Sequence, residues 1–186
     1  MSKVEKVLKQ YPHVWKTESA LMSYIRGGIR RSLWNRSPIK LEFIKKNRVK
    51  IPNPNPRGKV VEVWGGVCSL TGATLPLKDL EVDHLEGNHS LRSMDDIRSF
   101  IEAIVLVTED DLAFVSKDAH RVKTYAQKEN ISFEEALAIK KAIAICKAKK
   151  DKEWLEEKGI IPASNQAKRR KQIEEALQSE AVKLSL

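Results

Sequence analysis

The stretch IPNPNPRG, residues 51–58, limits the fold more than any other part of this chain. Three prolines in eight residues cannot lie inside a helix, because each lacks a backbone N–H and its ring clashes with the preceding turn. The segment therefore reads as an extended linker that separates two kinds of sequence. Apolar residues upstream recur at helical spacing, and the residues just downstream, KVVEVWGGV, alternate as a strand does.

Upstream, residues 1–16 read as a short leader of undetermined structure. From Thr17 to Asn35 the apolar positions Leu21, Tyr24, Ile25, Ile29, Leu33 and Trp34 mark one face of a helix, with Arg26, Arg30 and Arg31 on the polar side. Gly27 and Gly28 weaken that helix by about 1 kcal/mol each, which suggests a kink or a close backbone approach. Ser37 and Pro38 have the chemistry of an N-cap and a first helical residue. Downstream, KVVEVWGGV (59–67), LEVDH (80–84) and LAFVS (112–116) predict strands. KDAHRVKTYAQKE (117–129) predicts a helix. Capping-box signals at Ser93 and Ser132 open two more helices, Gly159 stops a short one, and Ser164 is placed to cap the last. The expected class is α+β. The expected segments are a basic helical arm (1–51), the linker (52–58), a strand-containing core (59–130) and a helical extension (131–186).

The net charge of +9 is unevenly distributed. Residues 1–59 carry a net +12, residues 60–115 a net −8, and residues 116–186 a net +5. A basic flank suits a polyanion such as DNA. An acidic middle would repel phosphate unless some of its carboxylates hold a cation. No apolar run approaches the length of a membrane span and residues 1–10 lack the apolar core of a signal peptide, so no membrane partner is expected. Two cysteines, Cys68 and Cys146, are too few for a disulfide framework and suit a reducing compartment, with a cytoplasmic location as the expectation.

Within the acidic middle, EVDHLEGNHS (81–90) places Asp83 and His84 side by side at the end of a predicted strand. Successive strand residues point to opposite faces, so the two can serve one site only where the strand ends and the chain turns. Gly87 and Asn88 are suited to that turn. A carboxylate binds a hard divalent cation, and a neutral imidazole is a general base near neutral pH. Further along, DLAFVSKDAHRVKT (111–124) puts Asp111 before a strand and His120 on the first turns of a helix. Arg121 and Lys123 follow on that helix as candidate phosphate clamps. His13 and His89 read as lying outside any site. The four tryptophans, Trp15, Trp34, Trp64 and Trp154, read as core or interface anchors.

The order Asp83-His84, Asp111-Leu112, then His120 with Lys123-Thr124 resembles the HNH, or ββα-metal, nuclease motif of phage-type endonucleases. The resemblance spans roughly residues 20–145. It implies a ββα-metal core with a small β-hairpin, flanked by helices, and a divalent-metal-dependent hydrolase that cuts or nicks DNA phosphodiester bonds, free-standing or of homing type. It makes Asp83 and His120 the metal ligands, His84 the general base and Asp111 the residue that orients the base. One cation is implied, magnesium or manganese first, with nickel, cobalt and zinc admissible at a site with an imidazole ligand. Arg26, Arg30 and Arg31, with Arg121 and Lys123, are the implied DNA contacts. Many relatives carry two Cys-x-x-Cys pairs, which would fall at Cys68/Thr71 and Ser116/Ala119. Only Cys68 is a cysteine here, and one thiolate cannot hold a tetrahedral zinc, so a metal-free knuckle packed by apolar contacts is expected. A non-cleaving DNA-binding accessory protein of the same fold is the alternative reading.

Overall fold

In the computed structural model, which describes residues 1–56, 58–87 and 89–184, the proline-rich stretch is part of a hairpin. Strand β1 (Val49–Pro52) pairs antiparallel with β2 (Glu62–Val67), Val49 opposite Gly65 and Pro52 opposite Glu62. The loop is closed by the Asn53 backbone N–H donating to the Val61 carbonyl (2.8 Å) and its side-chain amide donating to Val60 (2.9 Å). This corrects the linker reading. Prolines exclude a helix but not an edge strand, where a missing donor costs little, and β1 is an edge of the sheet β1-β2-β3, with β3 spanning Thr74–Pro76.

Residues before the hairpin are helical from the start. Helix α1 (Lys3–Gln10) opens with a capping box: the Ser2 hydroxyl accepts from the Glu5 N–H, and the Glu5 carboxylate accepts from the Ser2 N–H. The expected undetermined leader therefore has a local cause for order. Thr17 caps α2 (Glu18–Ser32), which runs unbroken through Gly27 and Gly28. A Cβ on Gly28 would meet nothing, and one on Gly27 would meet only the Arg31 guanidinium. No kink or close backbone approach is built there. Ser37 and Pro38 begin α3 (Pro38–Asn47) as their chemistry predicts.

The second sheet is the pair β4 (Leu80–His84) and β5 (Leu112–Ser116), antiparallel with Asp83 opposite Ala113 and His84 opposite Leu112. The connection between them holds α4 (Ile97–Ile104), preceded by a 3-10 turn at Met94–Asp96 that the Ser93 capping box opens. Met22 of α2 is buried with Leu91, Phe100 and Ile104, and Leu21, Ile25, Ile29 and Trp34 pack around them. The apolar stripe of α2 is thus covered by the β4–β5 connection.

Of two adjacent glycines, Gly65 makes room within its own sheet and Gly66 lets the second sheet approach. A Cβ on Gly65 would lie 2.5 Å from Ile51 and 2.7 Å from the Leu75 carbonyl, and one on Gly66 would lie 2.7 Å from the Phe114 ring. Phe43 meets that ring edge-on at 5.1 Å. Gly66→Ala is expected to cost about 1–3 kcal/mol, the usual cost of overpacking. Chemical denaturation checks this, and an unchanged midpoint would mean that Phe114 moves aside freely.

Met1–Lys117 forms one compact unit, in which the basic N-terminal segment and the strands belong together, and Asp118–Leu186 forms a second. The second unit contains α5, which starts at Lys117 and runs to Glu129, followed by α6 (Phe133–Lys147), α7 (Asp151–Glu157) and α8 (Gln166–Leu184). Ser132 caps α6 as expected. The last helix is capped by Asn165, whose Oδ1 accepts from the Lys168 N–H at 2.9 Å, rather than by Ser164. Ala142, Cys146, Leu155 and Ile173 form a buried cluster in this unit. Beside Cys146 a buried ion pair joins Arg169 of α8 to Asp151 of α7, Nε to Oδ2 at 2.5 Å. The same guanidinium donates to the carbonyls of Ala163 and Ser164.

Among the described residues no helix is long and apolar enough to cross a membrane.

Candidate active site

Strand β4 ends at His84, and one further bond follows, from the Leu85 N–H to the Asp111 carbonyl (2.8 Å), before the chain bends. Asp83 and His84 thus stand at a strand end, as the sequence leads one to expect. Gly87 has no regular secondary structure, and Asn88, the other expected turn residue, lies outside the described residues. Leu80 and Val82 are buried on the face that His84 shares, while Asp83 points to the opposite face with Glu81.

His84 is half-buried, and two contacts orient its ring. The Trp34 ring lies against it with centroids 4.3 Å apart, and Lys40 sits over Trp34 with its ammonium 4.8 Å from the ring centre. Nε2 lies 3.3 Å from the Ile104 carbonyl oxygen. A carbonyl only accepts, so Nε2 carries the proton in this pairing and the neutral ring has its lone pair on Nδ1. Burial pushes the His84 pKa below the ordinary imidazole value; the Ile104 carbonyl and Asp83 act against this, and His89 and Arg30 add to it. The ring is therefore kept neutral, the form a general base requires.

Sequence reasoning missed both orienting groups. Trp34 lies fifty positions upstream and reads as a core anchor, and the Ile104 contact uses a backbone carbonyl that no side-chain pattern reveals. Asp111, expected to orient the base, uses Oδ2 to accept from the Thr108 N–H (2.7 Å) and hydroxyl (2.8 Å), closing a capping box at the 3-10 turn Glu109–Asp111. Those bonds hold its carboxyl below the usual range. Asp111 still stands next to the site, because its carbonyl ends the β4–β5 ladder.

The arginines of α2 divide by environment. Burial, then the proximity of Arg26, lowers the pKa of Arg30, and Asp83 acts to raise it. Arg30 is therefore within electrostatic reach of the strand-end carboxylate. Arg26 bonds weakly to the Ser23 hydroxyl (3.4 Å), and Arg31 folds back over Gly27.

In the second unit, His120 and Lys123 lie three residues apart on α5, both half-buried, beside the buried stripe Ala119, Val122 and Ala126. Arg121 is exposed and pairs with Asp118 at 3.1 Å. In chain order β4, β5 and α5 make strand, antiparallel strand, helix. A carboxylate such as that of Asp83 in the first unit, and an imidazole such as that of His120 in the second, are each donors that a divalent cation accepts. Among the described residues no three His, Cys, Asp or Glu side chains gather as a metal cluster.

The expected knuckle is built around a sulfur. Cys68 is buried, and its Sγ accepts from the Ser116 N–H at 3.2 Å. Gly72, at φ +67°, turns the chain so that its N–H reaches the Cys68 carbonyl (2.8 Å). Burial raises the Cys68 thiol pKa, but the Thr71 hydroxyl and the backbone N–H groups of Ser116, Leu70 and Thr71 outweigh this and hold it below the ordinary value. The Ser116 N–H donating to the sulfur and the Ser69 N–H donating to the Phe114 carbonyl (2.8 Å) tie this turn to β5, beside the burial of Cys68.

Comparison with protein-family models, with curated proteins and with solved structures finds no match to this chain.

Proposed function

We propose that the protein is a divalent-metal-dependent DNA endonuclease of the HNH type that makes single-strand nicks. The observation that carries this reading is His84: a half-buried imidazole at the end of β4, kept neutral and oriented by the Trp34 ring and the Ile104 carbonyl, next to the Asp83 carboxylate. The motif order Asp83-His84, Asp111, His120 and the strand-strand-helix succession support it, as does the basic charge of residues 1–59.

From the motif order alone, Asp83 and His120 would be the donors to one magnesium or manganese ion. When bound, that ion supplies charge neutralisation at the scissile phosphate. His84 accepts the proton of the attacking water at the ring nitrogen that does not face Ile104. Arg30 places a positive charge within electrostatic reach of Asp83, and Arg26, Arg31, Arg121 and Lys123 are further DNA-contact candidates. Neutral His84 is the working form, so the water is deprotonated without a change of tautomer.

The test is incubation of supercoiled plasmid with and without magnesium, followed by gel separation. Magnesium-dependent conversion to the open circle is the expected result. Asp83→Ala and His120→Ala should each abolish nicking and weaken magnesium binding measured by calorimetry. Binding of DNA without any cutting in either condition would favour the non-cleaving accessory protein, and unchanged metal affinity in both variants would remove the assigned ligands.

A further inference from the structure

Trp64 of β2 is 40% exposed and carries two cations on its ring. The Arg48 guanidinium lies 4.0 Å from the ring centroid and the Lys50 ammonium 4.5 Å from it. Lys50 is the direct cross-strand partner of Trp64, and Arg48 comes two residues earlier, in extended backbone at the end of α3. Residues two apart on an extended chain point to the same side, so the hairpin presents two positive charges and an indole on one surface.

Some basic side chains of this protein have carboxylate partners: Lys46 is bonded to Glu109 at 2.6 Å, Arg98 to Glu102 at 2.8 Å and Arg170 to Glu174 at 2.8 Å. Among the described residues no carboxylate lies within ion-pair distance of Arg48 or Lys50. Two like charges held close together with no counter-charge repel each other, and the indole face offsets only part of that cost. A polyanion would relieve it. The hairpin is also closely packed here: a Cβ on Gly65 would meet Ile51 and the Leu75 carbonyl, and one on Gly66 would meet Phe114.

We propose that Arg48, Lys50 and Trp64 form a nucleic-acid contact surface, separate from the Asp83-His84 strand end and from the α2 arginines. The two cations bind successive backbone phosphates, and the indole supports an adjacent sugar or base. This rests on the reading of the protein as DNA-binding and adds to it a specific surface on the β1–β2 hairpin. None of these side chains is placed in the cutting chemistry.

The experiment uses the full chain and a fluorescently labelled DNA duplex, with affinity measured by anisotropy across a salt series. Arg48→Gln with Lys50→Gln removes two phosphate contacts and should reduce the slope of log affinity against log salt by about 2. Trp64→Leu should weaken binding by about 5- to 100-fold, the usual range for loss of one stacked aromatic, and Trp64→Phe should restore part of it. Thermal melting identical to wild type shows that the fold is intact, with Lys50 and Trp64 exposed and Arg48 half-buried. Wild-type affinity and salt slope in all three variants would overturn the proposal, while wild-type binding itself would still stand. Conversely, a chain that binds duplex through this surface but never nicks plasmid would overturn the nuclease reading and leave the surface in place. Equal loss of binding to anionic lipid vesicles, with duplex binding unchanged, would assign the surface to a membrane and overturn the proposal.

Discussion

Replacing His84 by alanine should lower magnesium-dependent nicking by about 10²–10⁴-fold, the usual contribution of a positioned acid–base group, while DNA affinity and magnesium affinity stay close to wild type. The selectivity follows from the placement of the ring. Trp34 and Ile104 orient the ring, and it is not one of the assigned phosphate contacts, so those contacts stay in place when it is removed. The pH dependence adds a second readout. Burial depresses the His84 pKa, so the acid limb of the wild-type rate–pH profile should fall below the ordinary imidazole value of about 6.5. A carboxylate bonded to the ring would move the limb the other way. Rates measured at saturating magnesium from acid to neutral pH, beside melting curves for the variant, decide the matter. Near wild-type nicking by His84→Ala would place the base elsewhere.

Arg169→Met should destabilise the second unit by about 3–5 kcal/mol, because it leaves the Asp151 carboxylate buried without its partner. Asp151 is 5% exposed, and the substitution also removes a donor to the half-buried Ala163 carbonyl. The pH dependence should change sign. In the wild type Arg169 holds the Asp151 pKa below its unfolded value. The pair's stabilisation is therefore fully present above about pH 4 and is lost as pH falls through the folded value. Without Arg169, burial raises the folded pKa above the unfolded one, so the variant should lose stability as pH rises from about 4 toward neutral. Thermal melting at acid and neutral pH measures both effects. A variant that melts at the wild-type temperature at neutral pH would show that the carboxylate reaches water. The double variant Arg169→Met with Asp151→Leu should recover most of the loss, because a buried ion pair is often no more stable than a packed apolar pair.

Much of the secondary structure is written in local chemistry. β5 and α5 occupy the residues that their patterns mark, and Thr17, Ser37 and Ser132 cap the helices they precede. These features depend on neighbours a few residues apart, and such interactions are complete within the sequence window. The Asp83-His84 pair was also visible as a strand end. The proline stretch shows the limit: its chemistry excludes a helix, but only the pairing of Val49–Pro52 with Glu62–Val67 makes it a hairpin. That pairing needs Gly65 to leave room for the Ile51 side chain, which is a tertiary fact. The same holds at the site. The residue types for a base and a ligand can be read along the chain. The ring that stacks on His84, the carbonyl that orients it and the arginine that faces Asp83 come from α2, the turn after it and α4. They meet because the apolar stripe of α2 must be buried against Phe100 and Ile104, and burial is a property of the folded chain.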